Sequence, residues 1–590
     1  MSLRPPGPPS ATEIARLMRV ALGQEPADLA VTNATLVNVY TGELQPGQGV
    51  AVCGERIAYV GPDPSPCTGP DTQTTDAAGS YLVPGFIDCH AHLIYLATPD
   101  QMLRYIIPGG TTTIVTESLE IAFPLGVRGV LGFLASLRGQ PIKVLATAAV
   151  MASPSPAAQA EAYGPREVAR LLRQPDVLGL GETYWGEVLN GNPRILEIFA
   201  TVLKAGKVLE GHSAGARDHK LRAYLATGVS SCHEAITASE ALERARLGIW
   251  TLIREGSVRR ELEAVAAIKD KGIDTRLLCL TTDGLEPPDA VAHGYMDFLV
   301  QRAIELGFPP VTAIQMATLN PAQHFHIEHL VGGIAPGRYA DMMLLKDLKA
   351  IRPHLVISNG RVVAQEGKLL VPPRRHRFPS WFRLRFPFPP PDPQAFAIPA
   401  PAGRREATVR TIDMATPLVT REGRATLPAR DGHLMVEGDL IKAAVVEWKH
   451  QPGKTFAAPL RGFGLKRGAA ASSAAWEATA IVAVGTNDAD LARAVGRVME
   501  MGGGSAVVAE GQVLAEVPLP IAGLMSPEPV EAVARSLDHF NRTLQELGVP
   551  FPNPHLSLVT LTTGAIPHCR ITESGLANLR DGKILDLLVE

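Results

Sequence analysis

The stretch Val83-Pro84-Gly85-Phe86-Ile87-Asp88-Cys89-His90-Ala91-His92 decides how the chain is read. Pro84 and Gly85 interrupt what precedes them, and Phe86 and Ile87 begin an apolar run of the kind found in a strand buried on both faces. Side chains at i and i+2 of a strand point the same way, so His90 and His92 bring two imidazoles to one side while Cys89 faces away. Two rings so spaced can grip one divalent ion. In (β/α)8 barrels the C-terminal ends of the strands carry the chemistry, and the pair falls at such an end.

The flanking sequence extends this reading. From 84 to 329, short apolar runs alternate with helical segments, as in Lys143-Val144-Leu145-Ala146-Thr147, a helical stretch over 165–173, and then Val177-Leu178-Gly179-Leu180. Such alternation predicts a parallel sheet, and the length suits an α/β fold of the (β/α)8 TIM-barrel type. Residues 28–83 read as short strands punctuated by Asn, Gly and Pro, and residues 330–370 return to that pattern, which predicts one small composite β-domain. Residues 1–27 read as an N-terminal extension. Residues 371–403, rich in proline, exclude regular helix or central strand and read as an extended, solvated linker, its arginines over 374–385 included. Residues 404–590 read as an extra α+β C-terminal domain.

Composition bounds the function. The 590 residues are 46% hydrophobic and 19% charged with a net charge of -3. With no dominant basic block, neither nucleic acid nor an anionic membrane is an implied partner, and the expected ligand is a small molecule. The Pro-rich start and the lack of an uninterrupted apolar stretch of about 18 residues point to a cytoplasmic enzyme with no membrane segment. Six scattered cysteines form no Cys-x-x-Cys pair and are expected to be reduced and mostly buried.

A hydrolytic metal site needs more than two histidines. Glu182, His212, His233 and Asp283 each follow an apolar run where a barrel strand would open onto the catalytic face. Four imidazoles with carboxylates suit Zn, Mn or Fe better than Ca or Mg, which prefer oxygen cages. A bridging carboxylate such as Glu182 can hold two ions roughly 3.5–4 Å apart with a hydroxide between them. Asp283 beside it can take a proton and pass it to a leaving group.

With these residues in place, the chain resembles the amidohydrolase superfamily and, within it, the metal-dependent adenine deaminases. The resemblance covers about residues 28–370 and 430–575. It includes Pro84-Gly85-Phe86-Ile87-Asp88, Glu210-Gly211-His212, Ser230-Ser231-Cys232-His233-Glu234 and, late in the chain, Val484-Gly485-Thr486-Asn487-Asp488. It implies His90, His92, Glu182, His212, His233 and Asp283 as metal ligands, two divalent ions with Mn or Fe the usual metal and Zn an alternative, and Glu182 and Asp283 as catalytic groups. It also implies hydrolysis of adenine to hypoxanthine and ammonia, and a homodimer or larger assembly. Another aminated heterocycle, a cyclic amide or an N-acyl compound stays open as substrate, as does a non-catalytic role.

Departures from the family's pattern fall next to these positions. Leu93-Ile94-Tyr95-Leu96 stands where the family runs Ile-Glu-Ser-Ser, which implies that a polar pocket wall has become apolar. Thr183-Tyr184-Trp185 replaces Met-Met-Asn, and Glu117-Ser118-Leu119-Glu120 replaces Asp-Pro-His-Glu. Trp476-Glu477-Ala478-Thr479 replaces His-Asp-Ser-His, which implies the loss of two polar or metal-binding groups. Glu117, Glu120, Tyr184 and Trp185 are candidate substrate contacts, the aromatics by stacking on a planar ring. Arg254 and Glu255 read as an ion pair at the barrel rim. His219, His293, His324, His326 and His329 have no strand-end placement and read as surface or helix positions.

Overall fold

The computed structural model describes residues 7–160, 162–566 and 568–589. Eight parallel strands form the central barrel: β1 (Phe86–Ala91), β2 (Thr111–Thr116), β3 (Lys143–Ala148), β4 (Val177–Tyr184), β5 (Val208–His212), β6 (Ser231–Cys232), β7 (Trp250–Arg254) and β8 (Leu278–Thr281). β1 to β5 pair in sequence order, as do β6 to β8. The Ser230 amide donates to the Leu209 carbonyl (3.0 Å) and so joins the two sheets at one seam. At the other seam Ala91 pairs in parallel with Asp283, with His92 N donating to Asp283 O (2.8 Å) and Asp283 N to His90 O (3.0 Å). The barrel is closed.

The apolar runs become strands because every one of their residues has somewhere dry to go. Ile87, Cys89, Val115, Leu145, Val208, Leu252 and Cys279, from six of the strands, pack into one cluster with Ala322 and Phe325. Gly85 enters β1 so close to β2 that a Cβ there would lie 2.2 Å from the Thr112 hydroxyl, which leaves room for glycine alone. The β1–β2 register shifts between Asp88 and Ala91. Such an irregularity re-aims side chains at a strand end, and it accompanies the delivery of both His90 and His92 to the mouth.

A nine-stranded sheet stands beside the barrel. It takes strands from Leu29–Asn38 through Tyr81–Pro84 and again from Met342–Asp347 through Lys368–Leu369, joined where Val83 pairs with Met343. The N-terminal extension carries its own structure. Ser10 and Glu13 form a capping box for the helix Ala11–Ala21, whose Val20 is buried against Cys53 and Cys67 of this unit.

Residues 371–403 are not a solvated linker. Phe382, Leu384, Phe396 and Ile398 are buried. Arg374 donates to the carbonyls of Ala135, Ser136 and Arg138. Proline denies the segment a ladder of its own, so it satisfies itself on its neighbours. Of its arginines over 374–385, Arg375, Arg377, Arg383 and Arg385 face water, as do most of its prolines. Beyond it a ten-stranded sheet carries the helices Asp488–Glu500 and Val530–Glu546, and a three-stranded sheet follows from Cys569–Thr572. The unit is stitched to the barrel where Leu96–Ala97 pairs with Met525–Ser526.

Among the described residues one helix, Leu119–Leu137, is long and apolar enough to cross a membrane, which the sequence did not lead us to expect. It packs Ile121, Phe123, Val130 and Phe133 into the core and is broken at Gly126 (φ 62°). All six cysteines are free and buried.

Lys143 on β3 places its ammonium 2.6 Å from Asp341, with Asn359 as a further partner at 2.6 Å, and both charges are buried. Removing one partner of such a pair strands the other, at a cost of about 3–5 kcal/mol. Lys143→Ala is expected to lower the thermal midpoint and raise protease sensitivity, and the double change of Lys143 and Asp341 to leucine should recover much of the loss. Equal stability of single and double variants in a melting experiment would contradict this.

Candidate metal centre

The strand ends gather His90, His92, Glu182, His212, His233 and Asp283 into one cluster. The His90 Nε2 lies 3.6 Å and the His92 Nε2 3.1 Å from Asp283 Oδ1. Across the mouth, Glu182 Oε2 lies 2.7 Å from His212 Nδ1 and 3.1 Å from His233 Nε2. The His90 and His233 rings stack with centroids 4.1 Å apart, which closes the circle between the two halves. Asp283 sits at φ 58°, in the left-handed region that aspartate enters at a cost, held there by the barrel seam.

Three triads within this cluster have ligand atoms close enough to share an ion: His90 with Glu182 and His233, His90 with His92 and Asp283, and His212 with His233 and Glu234. The donor set of imidazoles and carboxylates matches borderline divalent metals. A second observation agrees. His90 Nε2 is buried with no hydrogen-bond partner among the described residues, although it lies 3.6 Å from Asp283 Oδ1 in a cluster with Glu182 and His233. A buried polar atom carries a desolvation penalty that a bound cation would offset.

Electrostatics sort the groups into roles. Burial works against charge at Glu182, but His212 and His233 outweigh it and hold the carboxyl well below the usual range. Asp283 is likewise held low against its burial, by the His92 hydrogen bond and the Arg254 guanidinium. Glu234 follows the same pattern, with Arg254 and His212 prevailing over burial. Burial and the neighbouring Glu182 charge push Glu117 up to about 8. Burial and His233 depress His90. His92 is raised, since Glu120 and Asp283 overcome its burial. Glu182, Glu234 and Asp283 are thus held anionic against their burial, a state that suits a bound cation.

Several sequence readings need correction. Arg254 does not pair with Glu255. It donates to Glu234, Asp283 (3.2 Å) and Glu261 (2.9 Å), tying two barrel carboxylates together, while Glu255 accepts from the Leu262 amide. Leu93, Ile94, Tyr95 and Leu96 are core residues beneath the C-terminal unit and do not border the cavity at the metal cluster, although Tyr95 lines a smaller cleft beside it together with Glu120, Trp476 and Glu477. His324 is a helix position, as read, and is buried there with its Nε2 2.6 Å from Glu210. Glu120 hydrogen-bonds His92 Nδ1 and borders the cavity, whereas Glu117 lies behind it, accepting from Glu182 N (3.2 Å). Tyr184 flanks His212, with ring centroids 4.8 Å apart. Tyr184 and Trp185 both open onto a neighbouring cleft of about 850 Å³ rather than the cavity at the metal cluster, the Trp185 indole donating to Ala214 O.

Two functional positions escaped the sequence reading. Glu234 was visible only as part of a quoted stretch, and its place beside His233 was the available signal. Glu477 comes from the C-terminal unit, where sequence comparison implied a loss of polar groups. It retains one. Together with Trp476, Ala565 and Ile566 it closes a cavity of about 90 Å³ over His92, Glu182, His212, His233 and Asp283. That is space for several waters or a small planar molecule.

A closed barrel with histidines and carboxylates at its mouth defines a class, and the sequence matches it: residues 81–363 fit the model of the amidohydrolase family. Residues 417–583 fit the adenine deaminase C-terminal domain. A protein named adenine deaminase from Moorella thermoacetica is 40% identical over 98% of this chain and 99% of its own. Others so named, from Rubrobacter xylanophilus and Clostridium botulinum, are 37% and 35% identical over 95% and 97% of this chain and the same shares of their own. The chain belongs to the adenine deaminase family of the metal-dependent amidohydrolases.

His233 belongs to two of the three triads. His233→Ala is therefore expected to reduce the divalent metal retained per chain, by elemental analysis of folded protein, well below that of the unsubstituted chain. Unchanged metal content would remove His233 from the site.

Proposed function

We propose that this protein hydrolyses adenine to hypoxanthine and ammonia. The reading rests on the convergence of His90, His92, Glu182, His212, His233 and Asp283 beneath a small cavity, in a chain whose full-length relatives carry the name adenine deaminase. These six residues would hold two divalent ions, Mn or Fe, with Zn compatible with the same donors. Such ions supply electrophilic polarisation and lower the pKa of water, so that a nucleophile exists at neutral pH.

The chain's own groups do the rest. Asp283, anionic and fixed by the seam and Arg254, accepts the proton of the attacking water and returns it to the departing amine. Leu119, Val258, Ile566 and Trp476 line the cavity with apolar surface, which excludes bulk water and faces a planar base. Glu120 turns one oxygen to His92, and its other oxygen is buried without a partner, so it can accept a ring N–H of the base. Glu117, between His90 and the Glu182 amide, supports the ligands rather than the substrate.

Ammonia release from adenine by metal-loaded protein is the direct test, with other aminopurines, pterins and aminopyrimidines assayed in parallel. Turnover of another heterocycle with adenine inert would transfer the proposal to that substrate, and inactivity throughout would defeat it. Asp283→Asn keeps the shape but removes the proton acceptor, and kcat is expected to fall by about 10²–10⁴. Near-normal kcat would deny Asp283 that role.

A further inference from the structure

His212 is held from two sides. Its Nδ1 lies 2.7 Å from Glu182 Oε2, and its Nε2 lies 3.1 Å from the backbone carbonyl of Ala565 in the C-terminal unit. A carbonyl oxygen only accepts, so Nε2 must carry the hydrogen. In the neutral ring the lone pair then sits on Nδ1, the nitrogen that faces Glu182. The Ala565 carbonyl thus decides which atom of His212 is free to bind a cation.

What fixes the carbonyl is Glu477. Its carboxylate accepts from the Thr563 hydroxyl (2.7 Å), the Gly564 amide (2.7 Å) and the Tyr184 hydroxyl, and Thr563 Oγ1 in turn accepts from the Ala565 amide (3.0 Å). Glu477 is itself pinned. Its carbonyl accepts from Ser153 Oγ (2.6 Å), and its backbone lies in the left-handed region at φ 56°, a conformation a glutamate adopts only where its surroundings require it. Tyr184 ends β4, two residues past Glu182, so the same carboxylate links the turn over 563–565 to the strand that carries the central carboxylate of the cluster.

We infer that Glu477 is a positioning residue for the metal centre: through the turn over 563–565 it holds the Ala565 carbonyl against His212 Nε2 and so presents Nδ1 as the ligand atom. The inference rests on the metal-dependent reading of the site above. It gives the C-terminal unit a chemical task, since the Ala565 carbonyl at 3.1 Å is within hydrogen-bond distance of Nε2 whereas the barrel's own Glu234 Oε1 stands at 3.7 Å. Outer groups that orient a histidine ligand are worth about 10–100-fold in metal affinity.

The test uses full-length protein stripped of metal and titrated with Co²⁺, with visible absorption reporting affinity and ligand field. Glu477→Gln cannot accept all three donors, and it is expected to weaken Co²⁺ binding by about 10–100-fold and to alter the absorption bands. Tyr184→Phe removes one donor and leaves His212 untouched. A smaller weakening in the same direction is expected, and if Glu477→Gln does not fold, this variant decides alone. Variants with lowered thermal midpoints but unchanged Co²⁺ affinity and spectrum would overturn the inference and leave the metal reading intact. Unsubstituted protein that binds no Co²⁺ would overturn both.

Discussion

The seam between β1 and β8 is the constraint on which the rest depends. Two backbone hydrogen bonds between the His90–His92 stretch and Asp283 close the barrel and, in the same act, bring the first two histidines against the last carboxylate. Asp283 accepts a left-handed backbone to do so. Strain of that kind persists only where the surroundings over-determine it, and here eight paired strands do. Fold and site are thus one arrangement: without closure, His92 and Asp283 are chain segments nearly two hundred residues apart in sequence.

Around that seam the charges are organised as nested pairs. Arg254 serves Glu234, Asp283 and Glu261 together, so the carboxylates next to the histidines stay ionised inside a dry cavity. Burial alone would protonate them. Glu117, lacking such a cation, is pushed the other way. The donor set of imidazoles and ionised carboxylates is the chemistry of a divalent-metal site, in keeping with the chain's place among the amidohydrolases.

The C-terminal unit changes how the active site is delimited. Trp476, Glu477, Ala565 and Ile566 form part of the cavity wall, and the pairing of Leu96–Ala97 with Met525–Ser526 anchors that wall directly after His92. The apolar run of residues 93–96 follows from this. It packs under the second unit, and the cavity over the metal cluster is lined instead by Glu120, Leu119 and residues of the C-terminal unit. Substitutions adjacent to a motif in sequence need not adjoin the ligand in space.

By itself the sequence determined what is local and periodic. Alternation of apolar runs with helical segments gave the barrel, i and i+2 spacing paired His90 with His92, and the ends of later runs supplied Glu182, His212, His233 and Asp283. Proline content excluded regular helix and central strand over 371–403, where two short 3-10 turns and the two-residue edge strand Ile398–Pro399 form, but said nothing of what the segment packs against, because its hydrogen bonds go to residues such as Ala135 and Arg138. Only the tertiary structure decided that Arg254 reaches Glu234 and Asp283 rather than its neighbour Glu255, and that Glu477 and the Ala565 carbonyl come to His212. The reason is the same in each case: these contacts join positions far apart in the chain, and no periodicity within a segment records which surface another segment will meet.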